Sequence, residues 1–436
     1  MKLFKGLNLL KLGGIVLVLA LLGAAGCSRS NSGVIKISSW GDANENAILM
    51  NLINDFQKSH PTIKVELQRV PWGEYNTKLL TQIAAGIAPD VIFVSTDNIS
   101  DYYPRGVLEP LDEYMKGDAG FPVNDFYPTL MERFRLDGHL YVIPRDISPI
   151  CVVYYNKKAF DAAKLAYPSD DWDWNDFLAD AKVLTKRTKD GKTTQWGFTE
   201  DWAMIEPWIY DNGGRWVDNP QKPNQWAFNS KAFIDGVQFR ADLILKHKVM
   251  PGPSNMTAMG GIGSSDMFMN GTVAMFLSGF WKTPQFRGIK NFDWDIAMFP
   301  KSPNGQRGFQ SGGSGYGILK SSKNKKAAWE LVKYIGGVEG EKKLGATGLS
   351  QPALKNLAES PLFLDGQVPH NKKMLLRAEP YGVFNPMATN FLEIYQGNVI
   401  PLFDQIWNGK LTAAEAVAKL NEALKNKPLI VKAKEN

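Results

Sequence analysis

The fold of this chain is indicated by one stretch, KLLTQIAAGIAPDVIFVSTDN, residues 78 to 98. Its first half places Leu79 and Ile83 four residues apart, as on one face of a helix. After Pro89, the segment DVIFVS at residues 90 to 95 is apolar almost without a break, which is typical of a strand in a parallel sheet that is covered on both faces. The stretch therefore predicts the second half of an α/β unit.

The residues before this stretch predict the first half of the same unit. A short β-branched run is followed by a helical pattern, then an alternating strand and a second helical pattern, at residues 34–38, 44–58, 63–67 and 74–86. The order β-α-β-α-β predicts an α/β fold built on a parallel sheet, with helices on its faces.

Side chains that suit ligand binding follow two of these strands. In parallel sheets, ligands lie at the carboxyl ends of the strands. Trp40 and Asp42 come directly after the first strand, and Asp97 follows the third. We therefore expect an aromatic ring and two carboxylates at one edge of the sheet.

The extended run at residues 140–155 predicts a second lobe. Pro144 and Pro149 interrupt it, and at about 3.3 Å per residue it is too long for one strand of a small lobe. We interpret it as a crossover with a hinge near residues 144–150. A length of 410 residues after residue 26 also favours two lobes over one.

The N-terminal segment predicts export and lipidation. Lys2, Lys5 and Lys11 precede an uncharged apolar run at residues 12–26, which is shorter than the roughly 18 to 20 residues of a membrane-spanning helix. The run ends in Ala-Ala-Gly-Cys27, which resembles a bacterial lipobox. We predict a signal peptide at residues 1–26, acylation of Cys27 and a flexible tether at residues 27–33; the alternative is ordinary signal cleavage beside a chance cysteine.

Composition excludes several classes of partner. The chain has a net charge of +6, and removing residues 1–26 takes away three lysines and no acidic residue, which leaves +3. No nucleic-acid partner is implied by so weak a charge. Cys151 is the second of two cysteines, and the four histidines are never paired at ligand spacing. We expect no disulfide within the chain, no metal and no cofactor.

Several segments, in order, resemble the extracellular solute-binding proteins of ABC sugar importers, family 1, the maltose-binding-protein-like lipoproteins. The segments are KLLTQIAAGIAPDVIFVSTDN (78–98), LEPLDEYM (108–115), GHLYVIPRDISPICVVYYNKKAF (138–160), MFMNGTVAMFLSGFWKTPQF (267–286) and SGGSGYGILKSSKNKKAAWELVKYI (311–335). The resemblance covers essentially all of the chain after the tether.

This resemblance implies a two-lobed periplasmic-binding-protein type II fold, in which each lobe is a doubly wound sheet with helices and the hinge has three segments. The expected crossings lie near 144–150, 303–310 and 346–353. Lobe 1 would then comprise 34–145 and 310–348, and lobe 2 would comprise 150–303 and 353–436. The implied function is to bind a sugar or oligosaccharide in the interlobe cleft and to deliver it, as a membrane-anchored monomer outside the cytoplasmic membrane, to an ABC transporter permease.

The resemblance also implies ligand contacts. Asp42 and Asp97 match acceptors for sugar hydroxyls, Trp281 in AMFLSGFW matches a stacking tryptophan, and Asp201 with Trp202 occupies the region of a second-lobe carboxylate and aromatic ring. The family's acidic residue before Tyr-Asn-Lys is missing, because Pro149 stands there, and Asp146 is the expected replacement.

Each of these residues also has a structural interpretation. Trp40, Trp202 and Trp281 could be core packing, Asp42 could cap a helix that begins near Asn44, and Asp97 and Asp146 could bind loop amides. Gly312 and Gly313 could allow either close packing or the approach of a ligand to the backbone.

Other functions remain as alternatives. A secreted carbohydrate-active enzyme would need two acids flanking one bond, but the sequence has no G-x-S-x-G, H-E-x-x-H or G-x-x-x-x-G-K-[ST] motif. We therefore expect no enzyme. A binding protein for a phosphorylated polyol or a polyamine is the second alternative, and Arg69, Arg145 and Arg215 are the candidate cations for an anionic ligand.

Overall fold

The computed structural model describes residues 34–202 and 204–431. The predicted signal peptide, Cys27 and the tether lie outside the described residues. Within the described part, no helix is both long and apolar enough to cross a membrane.

The strands, in chain order, are β1 (Val34–Ser39), β2 (Lys64–Arg69), β3 (Val91–Ser95), β4 (Arg135–Leu136), β5 (His139–Leu140), β6 (Val142–Pro149), β7 (Val152–Asn156), β8 (Lys186–Arg187), β9 (Thr193–Glu200), β10 (Val273–Ser278), β11 (Trp294–Met298), β12 (Phe309–Ile318), β13 (Gln351–Pro352) and β14 (Gly382–Val383).

The α-helices are α1 (Ala43–Ser59), α2 (Trp72–Ala84), α3 (Ile99–Tyr102), α4 (Asp112–Lys116), α5 (Pro128–Arg133), α6 (Lys157–Ala163), α7 (Trp174–Leu184), α8 (Glu206–Asp211), α9 (Lys231–Leu245), α10 (Pro253–Ala258), α11 (Ser264–Met269), α12 (Thr283–Phe286), α13 (Lys325–Ile335), α14 (Val338–Thr347), α15 (Lys355–Ala358), α16 (Lys373–Ala378), α17 (Phe391–Ile394), α18 (Ile400–Trp407) and α19 (Ala413–Leu424).

The first sheet has the strand order β13-β6-β12-β3-β1-β2, and β14 pairs with β12. β1 runs parallel to both β2 and β3, as the β-α-β-α-β pattern predicts. Every residue of β3 is buried, which agrees with its apolar sequence. β12 pairs antiparallel with both β3 and β6, so the sheet as a whole is mixed.

The second sheet has the order β11-β7-β10-β9-β8. β9 and β10 are parallel neighbours, whereas β7 is antiparallel to β10 and β11. The carboxyl ends of β9 and β10, Glu200 and Ser278, therefore meet at the same edge of this sheet.

Two separate hydrophobic cores define the lobes. The lobe 1 core surrounds the first sheet and the lobe 2 core surrounds the second. Ile147 belongs to the lobe 1 core and Ile150 to the lobe 2 core, so the chain first crosses between them. The second crossing runs along β12, from Phe309 in the lobe 2 core to Tyr316 in the lobe 1 core.

The third crossing lies later than the expected range of 346–353. Ala358 still packs in the lobe 1 core and Phe363 is the next core residue in lobe 2. The segment before Ala358 is held to lobe 1 because β13 pairs with β6 and the Leu354 N–H donates to Glu341 Oε2 over 2.8 Å. Residues 353–358, which are expected in lobe 2, therefore pack with the lobe 1 core.

Candidate functional site

One edge of lobe 1 is formed where parallel strands end. β1, β2 and β3 end at Ser39, Arg69 and Ser95, so the residues that follow them share one edge. This brings Trp40, Asp42 and Asp97 to the same edge, as the sequence predicts, and it adds Trp72 at the start of α2.

Trp40 is held by other aromatic rings. Its ring stacks on Phe93, with centroids 4.0 Å apart, and meets Trp72 and Tyr75 edge-on at 4.8 and 4.9 Å. Trp40 is therefore largely a packing residue of lobe 1. The ring that this cluster leaves open is that of Trp72, which is 56 % exposed and is absent from the predicted site.

Asp42 has the capping role that was its alternative interpretation. It is the N-cap of α1, and its Oδ1 accepts the N–H of Glu45 at 2.9 Å. The side chain is exposed. The cap uses one carboxylate oxygen, so the second oxygen is left to face solvent or a ligand.

Asp97 is held by side chains that lie far from it in the sequence. Its carboxylate accepts from Asn385 Nδ2 at 3.1 Å and from Gln310 Nε2 at 3.3 Å. Burial raises the pKa of Asp97, and the nearby charge of Arg133 partly opposes this. Asn385 lies 288 residues away along the chain, and no local pattern could have indicated the contact.

Arg133 joins the two lobes beside Asp97. Its Nε and its second terminal nitrogen donate to the carbonyl of Thr96 at 2.9 and 2.6 Å, and its other terminal nitrogen reaches Gln221 of lobe 2 at 3.4 Å. Burial lowers the pKa of Arg133 to about 10, and Asp97 acts in the opposite direction. This guanidinium is still a cation at neutral pH.

Asp146 is not placed as a ligand contact. The residue is 2 % exposed, and its carboxylate accepts from Arg145 Nε at 2.6 Å and from the N–H and Oγ of Ser314 at 2.9 and 2.8 Å. Arg145 also lies 3.5 Å from Glu45 Oε1 and 4.3 Å above the Phe93 ring. The proposed replacement for the family acid is instead part of a buried network between β6 and β12.

Gly312 and Gly313 are explained by strand packing. A β-carbon at Gly313 would lie 2.7 Å from Leu130 Cδ2 and 2.8 Å from the carbonyl oxygen of Asp146, and one at Gly312 would lie 3.1 Å from the carbonyl oxygen of Ser148. The missing side chains let β12 fit against its neighbours. The predicted approach of a ligand is not needed to account for either glycine.

The edge of lobe 2 carries two tryptophans on neighbouring parallel strands. Trp202 follows β9 and Trp281 follows β10, and their rings lie 5.9 Å apart at an angle of only 3°. Trp202 is 54 % exposed. Trp281 is partly buried and packs against side chains of both cores, which places it between the lobes.

Asp201 lies beside this pair of tryptophans. Its Oδ2 accepts from Ser278 Oγ at 3.0 Å and lies 3.2 Å from Lys282 Nζ. Asp201 and its neighbour Trp202 are thus brought together with the distant Trp281, as predicted.

Glu206 is a buried acid of lobe 2 that lies near enough to Asp97 of lobe 1 for their charges to interact. Trp216 Nε1 donates to Glu206 Oε1 at 3.3 Å. Burial raises the pKa of Glu206 to about 7, and the charge of Asp97 from lobe 1 contributes to the rise. Glu206 begins the short helix α8. Nothing in the sequence around Pro207 indicates that its carboxyl group is buried.

The arrangement can bind a neutral polar molecule that has an apolar face. The described residues contain no group of three side chains placed to hold a metal ion. The strand edges of the two lobes carry aromatic planes and carboxylates. These groups suit hydroxyl recognition.

A family model described as "Bacterial extracellular solute-binding protein" matches residues 40–342. The chain belongs to this family.

Curated relatives of this solute-binding protein include other binding proteins. A putative binding protein of Brucella abortus is 25% identical over 284 residues, 64% of this chain, and the match spans 66% of the relative's length. A galactooligosaccharide-binding protein of Bacillus subtilis is 24% identical over 361 residues, 79% of this chain and 81% of the relative.

A solved structure supports the fold. An ABC substrate-binding protein from Listeria monocytogenes, determined in complex with cycloalternan, superposes with a TM-score of 0.81 at 26% identity, covering 91% of this chain and 100% of that chain. The solute-binding protein therefore has the two-lobed α/β architecture of such proteins.

Proposed function

We propose that this solute-binding protein binds a sugar or oligosaccharide between its lobes and delivers it to the permease of an ABC transporter. The observation that carries the proposal is the parallel pair Trp202 and Trp281 at the cleft edge of lobe 2, with Asp201 beside it. Asp97 on lobe 1 adds a second carboxylate from the opposite side. The named sugar-binding relatives support the same reading.

The chemistry of a pyranose fits these groups. One face of the ring is a plane of C–H groups that packs on an indole, and the rim carries hydroxyls that donate to carboxylates. Indole rings supply a large rigid contact area, and hydrogen bonds to charged acceptors contribute about 1.5 to 3 kcal/mol. The ligand would be held from lobe 1 by hydrogen bonds and from lobe 2 by stacking.

Two of the three candidate arginines are already paired within the protein, which argues against an anionic ligand at either of them. Arg145 is paired with Asp146 and lies near Glu45, and Arg215 donates to the carbonyls of Tyr210 and Gly214 at 3.1 and 2.6 Å. A phosphate group would have to compete with these partners. We therefore prefer a sugar to a phosphorylated polyol.

Binding without chemistry is the simplest role for such a cleft, and we propose no catalytic step. Asp97 and Glu206 are both held by protein donors, and the described residues contain no group of three His, Cys, Asp or Glu side chains placed to hold a metal ion.

A thermal-shift screen tests the ligand class. The protein lacking residues 1–26 is incubated separately with maltotriose, a galactooligosaccharide and a monosaccharide. Glycerol 3-phosphate and spermidine are tested in the same way, as representatives of the two non-sugar ligand classes. A sugar at 100 times its dissociation constant should add about 2.7 kcal/mol to the stability. Stabilisation by glycerol 3-phosphate or spermidine and by none of the sugars would contradict the proposal.

We also propose that the protein is anchored outside the cytoplasmic membrane by lipid on Cys27. Two or three acyl chains give stable attachment, whereas one does not. Cys27→Ala should abolish labelling by a fatty-acid probe in cells and release the chain from the membrane fraction. Unchanged labelling would exclude Cys27 as the site of acylation.

A further inference from the structure

The turn that carries Trp281 contains a glycine with no room for a side chain. A β-carbon at Gly279 would lie 1.8 Å from Cζ3 of Trp281 and 2.2 Å from its Cε3 and Cη2. Such distances are far below van der Waals contact. The benzo ring of Trp281 therefore occupies the space in which any other residue would carry its side chain.

The backbone conformation gives no separate reason for this glycine. Gly279 has φ −92° and ψ 171°, an extended conformation that every amino acid adopts readily. What the position requires is space and not a left-handed backbone. The residue is therefore explained by the pose of Trp281.

A buried phenol fixes the same turn from behind. The hydroxyl of Tyr154 lies 3.0 Å from the carbonyl oxygen of Gly279, 3.1 Å from that of Phe280 and 3.1 Å from Thr283 Oγ1. Tyr154 is fully buried and meets the Phe286 ring edge-on at 4.9 Å. The backbone of the turn thus cannot easily shift to make room for a larger residue.

We infer that Gly279 is a positioning residue for sugar recognition, because its missing side chain lets Trp281 lie parallel to Trp202. This inference rests on the proposed function of the cleft. Gly279 has no side chain with which to contact the sugar. It acts through the indole, whose displacement would destroy the 3° alignment of the pair.

The pose of Trp281 can be tested without any ligand. The protein contains thirteen tryptophans, and labelling with 5-fluorotryptophan gives each a ¹⁹F resonance, those of Trp202 and Trp281 being assigned with Trp→Phe variants. Gly279→Ala should move both of these resonances. Gly397→Ala is the control, because a β-carbon there meets nothing within 4 Å, and it should leave both in place. An unmoved Trp281 resonance in Gly279→Ala overturns the inference.

A double-mutant cycle tests whether the effect on binding passes through Trp281. With maltotriose and a galactooligosaccharide as probes, Gly279→Ala should weaken binding about tenfold, the size expected for overpacking by one methyl group. In a Trp281→Ala background the same substitution should have no further effect. Equal weakening in both backgrounds would show that Gly279 acts by another route.

A second variant covers the case in which Gly279→Ala folds poorly. Tyr154→Phe removes the hydroxyl that fixes the turn without adding volume, and it should weaken binding of the same probes less than Gly279→Ala and again only when Trp281 is present. A Tyr154→Phe variant that weakens binding equally with and without Trp281 contradicts the positioning role. The proposed function is judged by the thermal-shift screen, whereas the ¹⁹F result decides the inference by itself.

Discussion

The two edges of the cleft use the same residue types in opposite ways. On lobe 1, Trp40 stacks on Phe93 at 4.0 Å and Asp146 is paired inside the sheet, so both serve mainly to hold the lobe together. On lobe 2, Trp202 and Trp281 face each other at 3° beside Asp201, and the indole of Trp202 is mostly open. The type of a residue therefore does not determine its role. The role depends on which neighbours cover the side chain in the folded protein.

The largest expected effect concerns the buried network of lobe 1. Asp146→Ala leaves Arg145 with Glu45 as its remaining acid, at 3.5 Å. Breaking a buried pair costs about 3 to 5 kcal/mol, so urea unfolding should show a loss of this size. Sugar affinity of the folded fraction should stay within twofold of the parent. A large loss of affinity with unchanged stability would instead mean that Asp146 contacts the ligand.

The next prediction concerns Glu206, the buried acid of lobe 2 whose pKa the charge of Asp97 helps to raise. The pKa of Glu206 is raised from 4.5 to about 7 by burial, and Asp97, Tyr210, Tyr395 and Trp216 surround it. An acid whose folded pKa is raised holds its proton in the folded state while the unfolded chain has lost it. The contribution of Glu206 to the stability is therefore greatest below pH 4.5 and falls by about 2 to 4 kcal/mol as the pH rises towards about 7.

Glu206→Gln should remove this part of the pH dependence. Urea unfolding of parent and variant at pH 5 and pH 8 measures it, and comparing the two proteins cancels the contribution of other groups. The variant should lose less stability than the parent between these two pH values. Identical losses in both proteins would show that Glu206 keeps an ordinary pKa.

The tryptophans of the two lobes give a matched pair of substitutions. Trp281→Ala should weaken sugar binding about 100-fold, which corresponds to about 2 to 3 kcal/mol of lost apolar burial, with a small change in the melting temperature of the free protein. Trp40→Ala should change the sugar affinity little but cost about 2 to 4 kcal/mol of stability. If the two variants exchanged these effects, lobe 1 would provide the stacking surface. Isothermal titration and thermal unfolding separate the two cases.

The smallest effects are expected at the carboxylates of lobe 1. Asp97→Asn keeps the shape of the side chain but weakens charge-assisted hydrogen bonds, and it should cost about 1 to 2 kcal/mol of binding. Asp42→Asn should cost less, because one oxygen already caps α1 and asparagine is an equally good N-cap. Titration of both variants with the sugar found in the screen would rank them. Equal losses would mean that Asp42 contacts the ligand as closely as Asp97.

Local sequence was enough to predict the βαβ order of lobe 1, the buried strand β3 and the helix cap at Asp42. These features depend on residues that are close in the chain. Periodicity and capping patterns record them directly.

Only the tertiary structure decided which of these side chains were open and which were covered. Asp146 is buried because β12 comes from more than 160 residues away to pair with β6, and Asp97 is held by Asn385, 288 residues distant. The third crossing, the covered ring of Trp40 and the packing at Gly313 depend on such pairings too. Burial is a property of surfaces that meet in space, so a sequence read locally contains the groups that can bind but not the neighbours that occupy them.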